Sequence, residues 1–403
     1  MRQIYFDNSA TTAAYPEVRD IMGRLLCETY GNPSSMHAMG VDAERYVKEA
    51  RRAIAATLRA GEKEIYFTSG GTESNNWALI GGAQANRRAG CRIVTSAMEH
   101  PSVSEPLAYL ETQGFTVVRV GVEPDGRLRM DELGDALTAD TCLVSVMIVN
   151  NEIGSVTEPA KIAAMIRDKA PRALFHADAV QAYGKMELAP KKAGIDLLSV
   201  SGHKIHGPKG IGFLYRREGV RILPYLYGGG QQDGMRSGTD NVPGIAGLGC
   251  AAQIVCGHLA ENRAVLFLLT DHLREGLTAL SAELQTEYAK IPGAEGIREP
   301  VILHGPGGTF RAPHIVSAAF PGVRSEVLLH SLEERRIYVS AGSACSTHKA
   351  HKSPTLLAMG VPFAEMESTV RFSFCETNTI GEIDEALSAL RELLPRLIRY
   401  RAK

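Results

Sequence analysis

The sequence predicts an α/β sandwich followed by a smaller α+β unit, and three observations carry the prediction. From about residue 40 to residue 260, short β-branched or apolar runs alternate with longer helical patterns. The runs are almost continuously apolar, as strands covered on both faces must be. After about residue 260 the alternation stops and a long helical pattern takes over.

The strand candidates, in order, are Glu64 to Thr68, Arg92 to Thr95, Phe115 to Val120, Cys142 to Val149, Ala173 to Ala177, Asp196 to Val200 and Ile211 to Tyr215. Amphipathic helices such as Ala43 to Leu58 and Ile162 to Lys169 separate them, giving a sheet of about seven strands, mainly parallel. One strand could run antiparallel, and the sequence does not say which. Beyond residue 260 come a helix from Glu261 to Leu284, strands at Ile315 to Phe320 and Ser368 to Phe374, and a Gly- and Pro-rich stretch, Ile291 to Pro313, read as irregular. The expected division is a large unit over residues 15–260 and a small one over 261–403, joined by residues 1–14.

A chain of 403 residues is long enough for two cores, and 44 Lys and Arg against 45 Asp and Glu leave a net charge of −1, which gives no footing for nucleic acid as a direct ligand. The start lacks the apolar stretch of a signal peptide, and no run approaches about 18 apolar residues. A soluble, cytoplasmic protein without a membrane partner is expected. The cysteines at 27, 91, 142, 250, 256, 345 and 375 are odd in number and scattered, unlike a disulfide framework. Cys142, Cys250 and Cys256 are read as packing residues.

Lys204 is the first candidate for chemistry. It stands in Ser201-Gly202-His203-Lys204-Ile205-His206-Gly207, straight after a strand, with Asp178 and Gln181 upstream. A lysine amine condenses with an aldehyde, and an acid on a pyridine nitrogen keeps that ring an electron sink, so the pair suggests pyridoxal 5′-phosphate. Read alone, Asp178 is equally an N-cap and His203-Lys204 a surface basic pair. Thr68-Ser69-Gly70-Gly71-Thr72-Glu73-Ser74-Asn75 follows a strand and opens a helix, a place where bare amides can meet a phosphate; by itself it is also an ordinary βα connection. Cys345 lies in the small-residue stretch Ser340-Ala341-Gly342-Ser343-Ala344-Cys345-Ser346-Thr347.

At these motifs, and from Tyr5-Phe6-Asp7-Asn8-Ser9-Ala10-Thr11-Thr12 to Val370-Arg371-Phe372-Ser373, the sequence resembles the NifS/IscS-like cysteine desulfurases of the aminotransferase class-V family. Ala341 replaces the first Ser of that family's Ser-Gly-Ser-Ala-Cys loop, and Gly71 stands where Ala is usual, a change expected to leave phosphate binding undisturbed. The resemblance implies fold type I of the pyridoxal-phosphate enzymes, with the site between the two units. It implies Lys204 as the cofactor lysine, Asp178 on the ring nitrogen, Gln181 on the ring hydroxyl, and His100 stacked on the ring and moving protons near the substrate sulfur. It places Gly71, Thr72, Ser201 and His203 around the phosphate, joined by Thr239 from the opposite subunit of a homodimer. Asn150 would lie beside ring and substrate, Arg371 would clamp the carboxylate of L-cysteine, and Asn32 would line the entrance.

In the implied reaction Cys345 attacks the substrate sulfur, leaving alanine and a persulfide for sulfur-acceptor proteins, either an iron–sulfur scaffold or a thiolation enzyme. The segment from Gly342 to Ser353 is expected to be mobile, and its basic run His348-Lys349-Ala350-His351-Lys352 could aid the thiolate, dock an acidic partner or merely be solvated. Cys345, His348 and His351 also have metal-triad spacing, but no fourth ligand is apparent and no metal is expected. Phe374-Cys375-Glu376-Thr377-Asn378 departs from the commoner family pattern. A selenocysteine lyase, an ordinary class-V aminotransferase and a non-catalytic sulfur carrier are the alternatives; the last two would leave Cys345 or Lys204 without a use.

Overall fold

The computed structural model describes residues 3–341 and 353–401. Its strands run in chain order as β1 (Ile4–Tyr5), β2 (Ile65–Thr68), β3 (Arg92–Ser96), β4 (Thr116–Val120), β5 (Thr141–Met147), β6 (Leu174–Asp178) and β7 (Leu197–Ser201). They continue with β8 (Gly212–Arg216), β9 (Ile302–His304), β10 (Ile315–Ala319), β11 (Ile337–Tyr338), β12 (Ser340–Ala341) and β13 (Thr369–Ser373).

Seven of these form one sheet in the order β2-β8-β7-β6-β5-β3-β4. The antiparallel strand left open by the sequence is β8, which opposes both β7 and β2. Its connection from β7, residues 202–211, is a loop with one 3₁₀ turn, too short for the helical crossover that a parallel neighbour would need. Successive residues face opposite sides: Phe67, Val144, Leu198 and Phe213 enter one apolar cluster, while Tyr66, Leu143, Leu197 and Leu214 enter another. Helices Ala38–Thr57 and Val242–Gly257 cover the first face, packed so closely that a Cβ on Gly249 would lie 2.7 Å from that of Ala50. The second face is closed by a helix that starts at Gly71 and by Pro101–Thr112.

Four of the remaining strands build an antiparallel sheet, β12-β13-β10-β9, against the 30-residue helix Leu259–Tyr288 and the C-terminal helix Ile380–Arg401. Ile4 and Phe6 are buried in this second core, and β1 pairs with β11. The stretch Ile291 to Pro313 is not wholly irregular, since it contains β9; three residues flanked by Gly and Pro are too few to show a period. Among the described residues no single helix is long and apolar enough to cross a membrane.

Candidate active site

His100, Asn150, Asp178, Gln181, Ser201, His203 and Lys204 stand at or just beyond the ends of β3, β5, β6 and β7, the edge at which open α/β sheets bind ligands. Lys204 follows β7 on the turn Gly202–Lys204. Its Nζ donates to the carbonyls of Ser9 at 2.6 Å and Ala10 at 2.7 Å. Burial, reinforced by Arg371, pulls the Lys204 amine down to about 8, against the opposing pull of Asp7 and Asp178. Gln181 Nε2 donates to the same Ser9 carbonyl at 2.9 Å, and its Oε1 faces His314 Nε2 at 3.3 Å. Residues 179–186 form consecutive turns instead of the helix that the Asp178–Gln181 spacing suggested.

Asp178 ends β6 and is buried. Its Oδ1 accepts from the Val180 amide at 2.9 Å, so it does cap a turn, and its Oδ2 accepts from Asn75 Nδ2 at 2.7 Å. Desolvation pushes its pKa up, opposed by these donors and by His100 and Lys204.

Asn75 also donates to Ser102 Oγ at 2.8 Å, which lies 2.8 Å from His100 Nδ1. The Ser102 amide points at the same nitrogen from 3.1 Å, so this network assigns Nδ1 as an acceptor and the neutral ring's proton to Nε2. His100 remains open to solvent on one side, while the protein around it thins its hydration and lowers its pKa; Asp178 opposes that shift and Lys204 adds to it.

Gly70 and Gly71 begin a helix whose second turn is a π-helical segment, Trp77–Gly81. A Cβ on Gly71 would meet Val180 Cγ2 at 2.7 Å and Ser201 Cβ at 3.4 Å. Thr72 is exposed, Ser201 buried and His203 half-buried, with its Nδ1 3.2 Å from Thr11 Oγ1 and its pKa lowered to about 4 by burial and then by Lys204 and Lys209. Glu73 bonds the Ser69 amide and Arg236 Nε, each at 2.8 Å, tying the glycine-rich 228–238 loop to the Gly70-Gly71 turn. Thr239, beside that loop, is exposed, as is Asn32, whose Oδ1 accepts from the Ser34 amide at 3.0 Å.

Arg371, on β13, donates through Nη2 to Asp7 Oδ1 and through Nη1 to the Asn151 carbonyl, both at 2.7 Å, while its Nε is buried without a partner among the described residues. Asn150 is fully engaged by protein: Nδ2 donates to Met98 O at 3.2 Å and Thr355 Oγ1 at 3.1 Å, and Oδ1 accepts from the amides of Glu152 and Ile153. That leaves Asn150 a turn-former without a free amide hydrogen, and it is the backbone carbonyl of the half-buried Asn151 that meets Arg371. Asp7, Asn75, Ser102 and Glu73 were not singled out from the sequence. For Asn75 a signal existed, a carboxamide on the buried side of a site-forming helix.

Cys345, His348, Lys349, His351 and Lys352, with the mobility expected of their segment, lie outside the described residues. On its flanks, Ser340 pairs with Arg371 across β12 and β13, and Ser353 Oγ donates to Glu152 Oε2 at 2.5 Å. Cys142 is buried as expected of a packing thiol, with burial pushing it up to about 12; Cys250 and Cys256 are only partly buried.

Residues 4–386 match the family model for class-V aminotransferases. The chain is 42% identical over 399 residues to a cysteine desulfurase of Trichormus azollae, covering 98% of this chain and 94% of that one. It is 40% identical to the cysteine desulfurase IscS of Methanosarcina thermophila, covering 98% and 93%. A solved NifS-like protein superposes with a TM-score of 0.88 at 35% identity, covering 98% of this chain and all of the other. The apo cysteine desulfurase of Thermococcus onnurineus NA1 gives 0.85 at 27%, covering 98% and 95%. With these matches spanning nearly its whole length, the chain belongs to the class-V aminotransferase family, in its NifS/IscS-like cysteine desulfurase branch.

Proposed function

We propose that this enzyme is a cytoplasmic cysteine desulfurase that converts L-cysteine and the Cys345 thiol into L-alanine and a Cys345 persulfide, then passes the sulfur to acceptor proteins of iron–sulfur cluster assembly or thiolation. The observation that carries the reading is the convergence, at one end of a mainly parallel sheet, of a half-buried lysine whose amine is drawn to about 8, a buried acid and a half-buried arginine.

The residues fit pyridoxal 5′-phosphate. Gly70 and Gly71 open their helix straight after β2, where bare amides can meet a phosphate, and Ser9 Oγ and Asn75 Oδ1 are buried polar atoms without partners among the described residues. When bound, the cofactor supplies an aldehyde for a lysine amine and a ring that accepts electrons from the substrate Cα. Thr72, Ser201 and His203, with Gly71, would hold its phosphate, joined by Thr239 of a second subunit in a homodimer. Asp178, steadied by Asn75, would face the ring nitrogen and Gln181 the ring hydroxyl.

Lys204, once displaced by substrate, would carry a proton to or from Cα. Arg371, aimed by Asp7 and Asn151, would grip the substrate carboxylate, and we assign to Asn151 the place first given to Asn150. His100 would present Nε2–H to the substrate sulfur as a hydrogen-bond donor. Asn32 would stand at the entrance. We take residues 15–260 as the cofactor-binding unit and 261–403 with 1–14 as the unit bearing Arg371 and Cys345, which the two separate cores support. The test is product analysis with L-cysteine and selenocysteine in parallel: alanine from cysteine is expected, and alanine from selenocysteine alone would favour the lyase.

A further inference from the structure

Beneath the Lys204 loop, and apart from the residues just described, three potential ligand atoms converge. They are His206 Nε2, Cys375 Sγ and a carboxylate oxygen of Glu376, all within 4.8 Å of one another. We propose that His206, Cys375 and Glu376 form a binding site for a zinc-class divalent cation.

The geometry of His206 carries the argument. It is a non-glycine residue with φ of 62°, a backbone conformation that aims the ring at a cost, and the residue is only 4% exposed. Its Nδ1 donates to the Ala13 carbonyl at 2.8 Å, which leaves the lone pair on Nε2. That lone pair faces Glu376 Oε2 at 3.5 Å, and both atoms are buried without a hydrogen-bond partner among the described residues. Two such lone pairs repel unless a cation or a proton lies between them. A proton would draw the pair to about 2.7–2.9 Å. Two ligands each about 2.0–2.1 Å from one tetrahedral zinc lie about 3.3 Å apart, close to the separation seen.

The outer contacts are those of a metal site. The Tyr15 hydroxyl donates to Glu376 Oε1 and turns Oε2 inward, the Tyr15 ring stacks on His206 at 4.5 Å, and Thr377 Oγ1 lies 3.2 Å from Cys375 Sγ. A thiolate and a carboxylate together cancel a divalent charge. The buried amine of Lys185, without a hydrogen-bond partner among the described residues, favours both anions and at the same time opposes the cation, so binding in the micromolar range is expected rather than tighter. The site would join the N-terminal segment, the Lys204 loop and the exit of β13, the strand that bears Arg371.

The experiment uses the full-length, cofactor-loaded protein carrying Cys345→Ser, so that the loop thiol cannot compete. After chelation, zinc is titrated against a chromogenic chelator and cadmium is followed by its sulfur-to-metal charge-transfer absorption. One equivalent per chain with a thiolate band and a zinc-dependent rise in Tm is expected, lost in Cys375→Ser and weakened about tenfold in Tyr15→Phe. No uptake by the Cys345→Ser protein itself overturns the proposal whatever the variants do, and so does uptake that Cys375→Ser leaves unchanged.

Discussion

Asn75 Nδ2 lies 2.7 Å from Asp178 Oδ2 and 2.8 Å from Ser102 Oγ, so one carboxamide links the buried acid to the hydroxyl that orients His100. Asn75→Ala removes both bonds and leaves a buried carboxylate short of a donor, a loss of about 1–3 kcal/mol. Cofactor affinity is expected to fall about tenfold, with the pH profile of turnover shifted because the tautomer of His100 is no longer set. Equilibrium dialysis of the cofactor and a pH–rate profile check this; wild-type values for both would contradict it.

The Lys204 amine sits at about 8 instead of its ordinary 10.5 because burial and Arg371 disfavour the charged form. The free base is the nucleophile and the protonated form dominates below that value. Uptake of pyridoxal phosphate by cofactor-free enzyme should therefore quicken with pH and level off above about 8. Stopped-flow absorbance measures it, and a midpoint near 10 would contradict the assignment.

Glycine at position 71, where the family usually has alanine, is expected to leave phosphate binding undisturbed, but in this chain Val180 Cγ2 would stand 2.7 Å from an added Cβ. Gly71→Ala should destabilise the protein by about 1–3 kcal/mol and weaken cofactor binding, and adding Val180→Ala should restore most of both. Thermal melts and cofactor titration of the single and double variants test the coupling; strictly additive effects would remove it.

Arg371 is aimed by Asp7 and by the Asn151 carbonyl. Arg371→Lys keeps the charge and loses the fork, so KM for L-cysteine should rise about tenfold or more with a smaller change in kcat. Steady-state kinetics decide it, and an unchanged KM would take the carboxylate elsewhere.

The seven strands of the large sheet were legible because each is a short apolar run between turn signals, and Asp178, Ser201 and Lys204 could be placed because they follow such runs directly. The direction of β8 is not written in the strand's own composition; the signal for it was the shortness of residues 202–211, too few for the helical crossover of a parallel neighbour. Asn150 shows a second limit: its polar neighbours marked a site, but whether its carboxamide is free to meet a ligand depends on the turn that Asn150 itself caps. The Asp7–Arg371 pair joins residues at opposite ends of the chain, a contact that no local pattern encodes.

The most direct test of the central claim is single-turnover reaction of the cofactor-loaded enzyme with ³⁵S-labelled L-cysteine, quantifying alanine and mapping the label by peptide. The account predicts one alanine per labelled sulfur, with the label on the peptide containing Cys345, no label and no alanine in Cys345→Ala despite intact cofactor binding, and a loss of at least about a hundredfold in Lys204→Ala. Alanine formed at the wild-type rate by Cys345→Ala, or label on another cysteine of the unmodified enzyme, would contradict it.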